Sequence, residues 1–449
     1  MAAESKALYE GGSSSVLFTD RRDFYIEPYV VKELWSDDAP FLTFVSNMRQ
    51  KFNLKDPMFK MFQHEQPWVE QRFTIDDTDA FTDTNTAVTV NLPTASSTNT
   101  IGLGATHDAR LKGLECAIHS NDAGTSKPSG ERKGVVIVTA FTSGTPNTIS
   151  CKNLGSTSFT LVSGDWFVVV GNAQGEGTTS PTPWADELSV VWNQSQIFRT
   201  SLKLTRTLMK AVLRGETDEL IRLRKQKGSE HKVQKERAMM FGSSKLGTNL
   251  TAADTFADGT RTDADSNVLR TTMGVIEAIL KYGATSGDDQ NIFSIPEATY
   301  SFSNFVDDME KVFRYNPAQN EGTKYMFLGA GLLSYWSKLE GQKGFAGQSG
   351  WTVNLSDMKR DTLGFNFKTL ETPHGLLKLV PTPSITFSPY KNYGAIIDAD
   401  NVFHALYDSP QYRQNIKTDD APDYQKDEYF SDEGVGMTLL KAHKLFKLV

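Results

Sequence analysis

Residues 193–242 read NQSQIFRTSLKLTRTLMKAVLRGETDELIRLRKQKGSEHKVQKERAMMFG, and this stretch decides the fold. An extended lead-in from Val190 to Phe198 runs into a charged segment, 217–241, whose length predicts one helix of about 25 residues, close to 38 Å at about 1.5 Å per residue. Thr217 is placed to act as N-cap, Asp218 and Glu219 fall in the first turn, and Gly242 stands where a left-handed C-terminal residue is wanted. Asp218 and Arg222 are spaced for an i,i+4 ion pair. The apolar positions, Leu220, Ile221, Leu223, Val233 and Ala238 to Phe241, make only a narrow seam among Arg, Lys and Glu. Such a helix lies across something larger than its own core.

A chain of 449 residues is long enough for two or three units with real cores, and 39% hydrophobic residues is a globular composition. The formal charge of −7 argues against a protein whose main task is to grip nucleic acid, which needs concentrated cations. It leaves room for a container of nucleic acid. Two cysteines, Cys116 and Cys151, without CxxC spacing fit reduced thiols. The N-terminus has no basic region followed by an apolar stretch, and no run approaches 18 apolar residues, so neither secretion nor membrane insertion is expected.

Residues 1–27 are polar and Ser/Gly-rich, an arm in want of a partner. From Pro28 to Phe52 the apolar spacing predicts helix, broken near Pro40. Residues 64–105 are Thr-, Asp- and Asn-rich with alternation at Val88, Val90 and Leu92, which predicts an extended ribbon too poor in apolar residues to form a core. Between Asp108 and Gly175 short β runs at Val135–Phe141, Thr148–Asn153, Phe159–Val162 and Asp165–Val170 predict a small inserted β domain. Beyond the long helix, helices are expected at Val268–Tyr282, Ser303–Arg314 and Ala330–Leu339. Strands are expected at Lys324–Leu328, Phe365–Leu370, Leu376–Val380, Tyr393–Asp398, Phe403–Leu406 and Gly436–Lys447, giving an α+β body.

The phrase NQSQIFR, the long helix ending MMFG and the upstream GNAQGEG (Gly171–Gly177) resemble, in that succession, a subfamily of tailed-bacteriophage major capsid proteins with the Hong Kong 97-type fold. The resemblance covers roughly Asn172 to Val449 and, more loosely, the N-terminal part. It implies an N-terminal arm and helix at 1–60, an extended loop whose first strand part is 61–107, an inserted β domain at 108–175, the loop's return at 176–215, a spine helix at 216–242 and a peripheral and apical α/β domain at 243–449. It further implies a structural subunit, not an enzyme, that forms hexamers and pentamers of an icosahedral head around double-stranded DNA held non-specifically. Assembly would take place in the host cytoplasm, with scaffolding, portal and decoration proteins as further partners and no membrane. An encapsulin-like nanocompartment shell and a tail or baseplate component are the alternative structural roles.

No catalytic, cofactor-binding or metal-binding set emerges. Asp76, Asp77, Asp79 and Asp83 fail as a calcium loop because Phe81 and Thr82 stand at ligand and glycine positions. Asp263, Asp265 and Asn267 fail similarly. The seven histidines show no HExxH or i,i+4 pair, and the glycine-rich loops lack the Lys-Ser/Thr of a phosphate loop. The helix cations, Arg222, Arg224, Lys225, Lys227, Lys232, Lys235 and Arg237, alternate with carboxylates and suggest ion pairs along the helix and to neighbours, with direct DNA contact as the sharper reading. The candidate intersubunit contacts are therefore Asp76, Asp77, Asp79, Asp83, Arg222, Arg224, Lys225, Lys232, Lys235 and Arg237. The acidic strip Asp419, Asp420, Asp423, Asp427, Glu428, Asp432 and Glu433 is expected to meet cations of an adjacent subunit.

Some capsids of the resembled fold are welded by an isopeptide between a loop lysine and an asparagine. Phe73 to Ala105 contains neither Lys nor Arg. Particles boiled in detergent are expected to run as one band near the chain mass of 49.8 kDa. A covalent ladder would contradict this.

Overall fold

The computed structural model describes residues 39–47, 51–64, 72–81, 87–92, 111–121, 128–142, 144, 146–180, 188–211, 219–244, 269–285, 290–315, 322–341, 359–360, 366–416 and 423–449. The long helix is present at Glu219–Phe241. Its expected cap Thr217 and its neighbour Asp218 lie outside the described residues, as do the N-terminal arm, Asp83, Asp263, Asp265, Asn267, Asp419 and Asp420.

The helix lies on a four-stranded sheet in the order Lys51–Asn53, Val402–Arg413, Tyr424–Met437, Gln196–Thr205. The lead-in to the helix pairs antiparallel with Tyr424–Met437 over its whole length, from Gln196 opposite Glu433 to Thr205 opposite Tyr424. Alternation along Gln196–Thr205 buries Phe198, Thr200, Leu202 and Leu204 on one face and leaves the other in solvent. Only the last two turns of the helix bury apolar side chains, Met239 and Met240; the other buried helix residues are His231, Lys235 and Glu236. The expected seam is therefore corrected: Ile221 is 62% exposed.

Gly242 does not adopt a positive φ. Its glycine is required by close approach instead. The Gly274 N–H donates to the Gly242 carbonyl at 2.7 Å, and a Cβ on Gly242 would sit 2.5 Å from the Thr272 carbonyl oxygen.

A seven-stranded mixed sheet forms the second body, in the order Ile292–Ile295, Lys444–Leu448, Tyr393–Ile397, Thr323–Leu328, Gly375–Pro381, Asn366–Thr372, Lys359–Arg360. Its alternating residues feed two cores. Phe327, Ala395, Ile397 and Leu445 pack with Phe41 and Phe44 of the helix Pro40–Asn47, with Met239 and Met240, and with the helix Val275–Tyr282. Met326, Leu328, Ile396 and Phe446 pack on the opposite side with Phe305, Met309 and Val312 of the helix Phe302–Phe313 and with Trp336 of the helix Ala330–Gly341. Within that layer Lys324 is fully buried, its ammonium donating to the carbonyls of Val312 (2.8 Å), Tyr315 (3.1 Å) and Ala442 (2.9 Å). It thus satisfies free carbonyls at the end of the helix Phe302–Phe313.

Three expected elements differ for visible reasons. The helix expected from Pro28 to Phe52 ends at Asn47 in its described part, and Phe52 belongs to a strand pairing parallel with His404–Leu406. The helix expected from Val268 begins at Val275 because Asn193 holds the chain before it: its Oδ1 accepts from Met273 N–H at 2.8 Å and its amide donates to the Met273 carbonyl at 3.0 Å. The strand expected at Gly436–Lys447 is two strands, broken where Leu439 turns left-handed at φ 49°.

The stretch expected as a coreless ribbon is the largest correction. Arg72–Thr74 and Val88–Asn91 are the two edge strands of a six-stranded sheet, in the order Arg72–Thr74, Trp166–Asn172, Leu114–Asn121, Pro128–Thr142, Thr148–Asn153, Val88–Asn91. Phe73, Ile75, Phe81, Val90 and Leu92 are buried with Ile118, Val136, Val138 and Phe167 in a core that contains no residue of the other two. The β unit thus reaches back to residue 72, well before 108. Cys116 and Cys151 both lie in this core as free thiols. The strand Pro128–Thr142 runs between theirs, and Cys116 lies opposite Val136 while Cys151 lies opposite Val138, which puts their Cα atoms about 12 Å apart, beyond disulfide reach. The ribbon that carries the β unit is a different pair of segments, Met58–Gln63 against Ser189–Gln194, ending with Gln63 opposite Ser189.

Because Gln63 and Ser189 are direct partners, replacing residues 65–187 by a four-residue turn is expected to leave the rest of the chain folded, with its unfolding transition within a few degrees of the parent. Removing only residues 76–100 is expected to unfold the β unit, since it deletes Phe81, Val90 and Leu92; large buried apolar residues contribute about 2–5 kcal/mol each. Circular dichroism and limited proteolysis of the two variants check both arms.

Candidate functional site: the charged helix and its acidic seat

The face of Glu219–Phe241 that meets the sheet carries Arg224, His231 and Lys235, spaced i, i+7, i+11 on one side of the helix. Beneath it, Asp427, Tyr429, Ser431 and Glu433 alternate along one face of the strand Tyr424–Met437. The helix rises about 16 Å from 224 to 235 and the strand about 20 Å from 427 to 433, so the two polar ladders keep nearly in step.

At the first rung Arg224 Nη2 lies 2.9 Å from the fully buried Asp427 carboxylate, which also accepts the Tyr412 hydroxyl and the Asn415 N–H. Burial alone would raise the Asp427 pKa, but these hydrogen bonds outweigh it and hold the group below the usual carboxylate range. Tyr412, half-buried beside that carboxylate, is pushed up to about 12 by partial desolvation and the Asp427 charge. The Tyr429 hydroxyl donates to the Arg224 carbonyl at 3.0 Å. At the middle rung His231 lies between the Thr200 hydroxyl (3.1 Å from Nδ1) and the Ser431 hydroxyl (3.3 Å from Nε2). Burial, reinforced by the Lys235 charge, lowers its pKa to about 4, so the ring is neutral.

At the third rung Glu433 is fully buried between Lys235 Nζ at 2.7 Å and His404 Nε2 at 2.6 Å. Desolvation would raise its pKa, yet the His404 hydrogen bond and the Lys235 charge bring it down to about 2. One residue on, Glu236 points the other way. Its carboxylate accepts from the N–H groups of Phe41 (3.0 Å) and Leu42 (3.2 Å), in the first turn of the helix Pro40–Asn47, and from the Ser384 hydroxyl at 2.6 Å. A carboxylate at a helix N-terminus meets both free N–H donors and the positive end of the dipole.

The arrangement fixes a long helix as a wall between two sheets. Of the expected intersubunit contacts, Arg224 and Lys235 are therefore internal, paired with Asp427 and Glu433 of the same chain. Arg222 pairs with Glu219 one turn away. Lys225, Lys232 and Arg237 are exposed on the helix. The acidic strip meets cations as expected, but those of its own chain: Asp432 pairs with Arg270 at 2.8 Å, and Glu428 and Asp423 approach Arg199 and Arg206 at 3.5 Å. Proximity in the fold satisfies these charges before any neighbour is needed. Asp76 and Asp77 hold the β unit together, accepting from the Ser163 hydroxyl and the Asn91 N–H, while Asp79 passes its carbonyl to Leu161 N–H. Burial and the neighbouring Asp77 raise the Asp79 pKa. Glu236, His231, His404 and Asn193 were not anticipated; the period-two spacing of Asp427, Ser431 and Glu433 against Arg224, His231 and Lys235 was the available signal.

A family model described as SU10 major capsid protein matches residues 37–445. No curated protein matches in sequence. Among solved structures, the capsid of a native GTA particle is similar at 9% identity and a TM-score of 0.42, covering 98% of this chain and 99% of that one. The Mycobacterium phage Adephagia structure is similar at 10% identity and 0.40, with the same coverages. The SrpI encapsulin of Synechococcus elongatus, at 7% identity and 0.37, covers 59% of this chain and 76% of its own.

Lys235→Ala is expected to destabilise the fold by about 3–5 kcal/mol, because it leaves Glu433 buried and charged with one partner fewer. Acid acts through His231 and through His443, which burial lowers to about 4. Both bind a proton more readily unfolded, near 6.5, than folded, so their contribution is complete above pH 6.5 and is lost as pH falls toward 4. Glu433 adds to the loss below about 4.5. The unfolding temperature is expected to fall from pH 7 to pH 5, and His231→Gln to flatten that slope; thermal unfolding at pH 5, 6 and 7 measures both.

Proposed function

The chain belongs to the SU10 major capsid protein family, and from that premise we propose that it is the Hong Kong 97-type shell subunit of an icosahedral phage head. Hexamers and pentamers of the subunit enclose double-stranded DNA, with scaffolding, portal and decoration proteins as further partners, and assembly takes place in the host cytoplasm. The family match over residues 37–445 carries this reading. The geometry supports it in kind. A shell subunit needs a stiff element that does not flex under load, and here a helix of 23 residues is locked to a sheet by paired charges along one side and to a second core by Glu236 and two methionines. It also needs projections that leave the body without disturbing it, and the ribbon Met58–Gln63 with Ser189–Gln194 carries a β unit with its own core. In this reading residues 1–60 form the arm and first helix, 216–242 the spine, and 243–449 the peripheral and apical body.

The test is production of the full chain with any scaffold supplied, followed by sedimentation and electron microscopy. Closed shells of uniform diameter are expected. A monodisperse monomer at high concentration would sink the proposal, and rings or tubes would move the chain to a tail or baseplate role.

A further inference from the structure

The chain passes from the strand Tyr424–Met437 to the strand Lys444–Leu448 through a tight corner, residues 438–443. Leu439 stands in it at φ 49°, a left-handed conformation that a residue with a Cβ keeps only where its surroundings impose it. Side chains from three distant parts of the sequence do so. The Gln63 amide oxygen accepts from Leu439 N–H at 2.9 Å. The Asn291 amide donates to the carbonyls of Leu440 (3.0 Å) and His443 (2.7 Å), and the buried Lys324 ammonium donates to that of Ala442. His443 closes the corner on itself, its Nε2 donating to the Thr438 carbonyl at 3.2 Å. Gln63 is the last residue of the ribbon strand Met58–Gln63, so its bond to Leu439 ties the end of the ribbon to this corner.

His443 is the member of this set that acid can change. Its ring is fully buried, and its second nitrogen, Nδ1, accepts the Asp398 N–H at 3.3 Å, so the ring is neutral with its proton on Nε2. A further proton would have to sit on Nδ1, facing that N–H. The neighbouring charges add to the opposition. Lys324, from the strand Thr323–Leu328, and Lys444, next along the chain, are fully buried cations. Against them stands the buried Asp398 carboxylate, whose oxygens already accept from Asp400 N–H and the Asn401 amide. Asp400 and Lys441 are the half-buried charges of the two adjoining turns. Burial first, and the two lysines after it, outweigh the Asp398 charge and hold the His443 pKa at about 4, below its ordinary 6.5.

We propose that residues 438–443 form an acid-released latch that holds the ribbon, and with it the β unit, at a fixed angle to the body. Above pH 6.5 the neutral His443 closes the corner, Leu439 is kept left-handed and its N–H holds Gln63. As pH falls toward 4 the open corner takes up a proton more readily than the closed one, so acid favours opening. An open corner lets Leu439 relax to a negative φ, which turns its N–H away from Gln63. The ribbon then loses its hold on the body at this point, while the charged ladder under the helix Glu219–Phe241 stays in place. The latch acts within one subunit and stands whether or not the chain forms shells.

The experiment uses the full chain as unassembled subunits at pH 7 and pH 5, with two readouts. Hydrogen exchange over residues 438–443, corrected for the intrinsic pH dependence of exchange, is expected to rise about tenfold or more at pH 5 while the helix Glu219–Phe241 stays protected. Spin labels at Ser156→Cys in the β unit and Glu297→Cys in the body report the ribbon angle, since the native Cys116 and Cys151 are buried away from the label. Their distance distribution is expected to be narrow at pH 7 and broad at pH 5. His443→Gln keeps an acceptor and a donor without titrating, and is expected to give the narrow distribution at both pH values. Gln63→Ala is expected to give the broad one at both, which keeps the test decisive if the histidine variant folds poorly. A parent distribution unchanged by pH, or acid broadening that persists in His443→Gln, would overturn the latch. Exchange that rises in the corner and in the long helix together would overturn it too, assigning the change to global acid unfolding.

Discussion

The fold depends on the burial of charge between the helix Glu219–Phe241 and the strand Tyr424–Met437. Burying a carboxylate without a partner is prohibitive, so once Asp427 and Glu433 lie under the helix, Arg224 and Lys235 must lie over them. Apolar packing is tolerant of a small slide; an ion pair at 2.7 Å with hydrogen-bonded neighbours is not. The helix therefore has one register on its sheet. His231, neutral and held between Thr200 and Ser431, fixes the middle of the contact without adding another charge.

Everything else is positioned from that helix. Its far side reaches the second body through Glu236, whose carboxylate ends the helix Pro40–Asn47 and binds Ser384. Its C-terminal methionines enter the core under the seven-stranded sheet, and the Gly242–Gly274 contact lets the returning chain pass within backbone distance. Asn193 links the ribbon, the segment before Val275 and the strand Tyr424–Met437 with one side chain, since its amide also donates to the Val435 carbonyl at 2.6 Å. Bracing of this kind suits a wall element of a shell.

The β unit obeys the opposite logic. Its core shares no residue with the body, and the chain leaves and returns through one antiparallel pair, so it is attached without being integrated. Its acidic loop is consumed internally by Ser163 and Asn91. Among the described residues, exposed cations stand on the long helix, at Lys225, Lys232 and Arg237, and on the outer face of the strand Gln196–Thr205, at Arg199 and Lys203.

The amino-acid sequence by itself determined the local elements whose signals are local: the long helix, the β runs at Thr148–Asn153 and Trp166–Asn172, the helix Phe302–Phe313, and the α+β class. It also carried the order of parts that points to the capsid family. Tertiary structure decided which charges are free. Arg224, Lys235, Asp427 and Glu433 read as surface charges available to a neighbouring subunit because each stands in a polar context along the chain, and they pair within the chain only because a helix and a strand some 200 residues apart meet rung by rung. The same cause hid the β unit's true extent. Phe73, Phe81, Val90 and Leu92 are too sparse along residues 64–105 to announce a core, and they form one because strands from 114 to 172 supply the other half. Spacing along a chain reports which face a residue shares; only the partner across the face reports whether that face is wet.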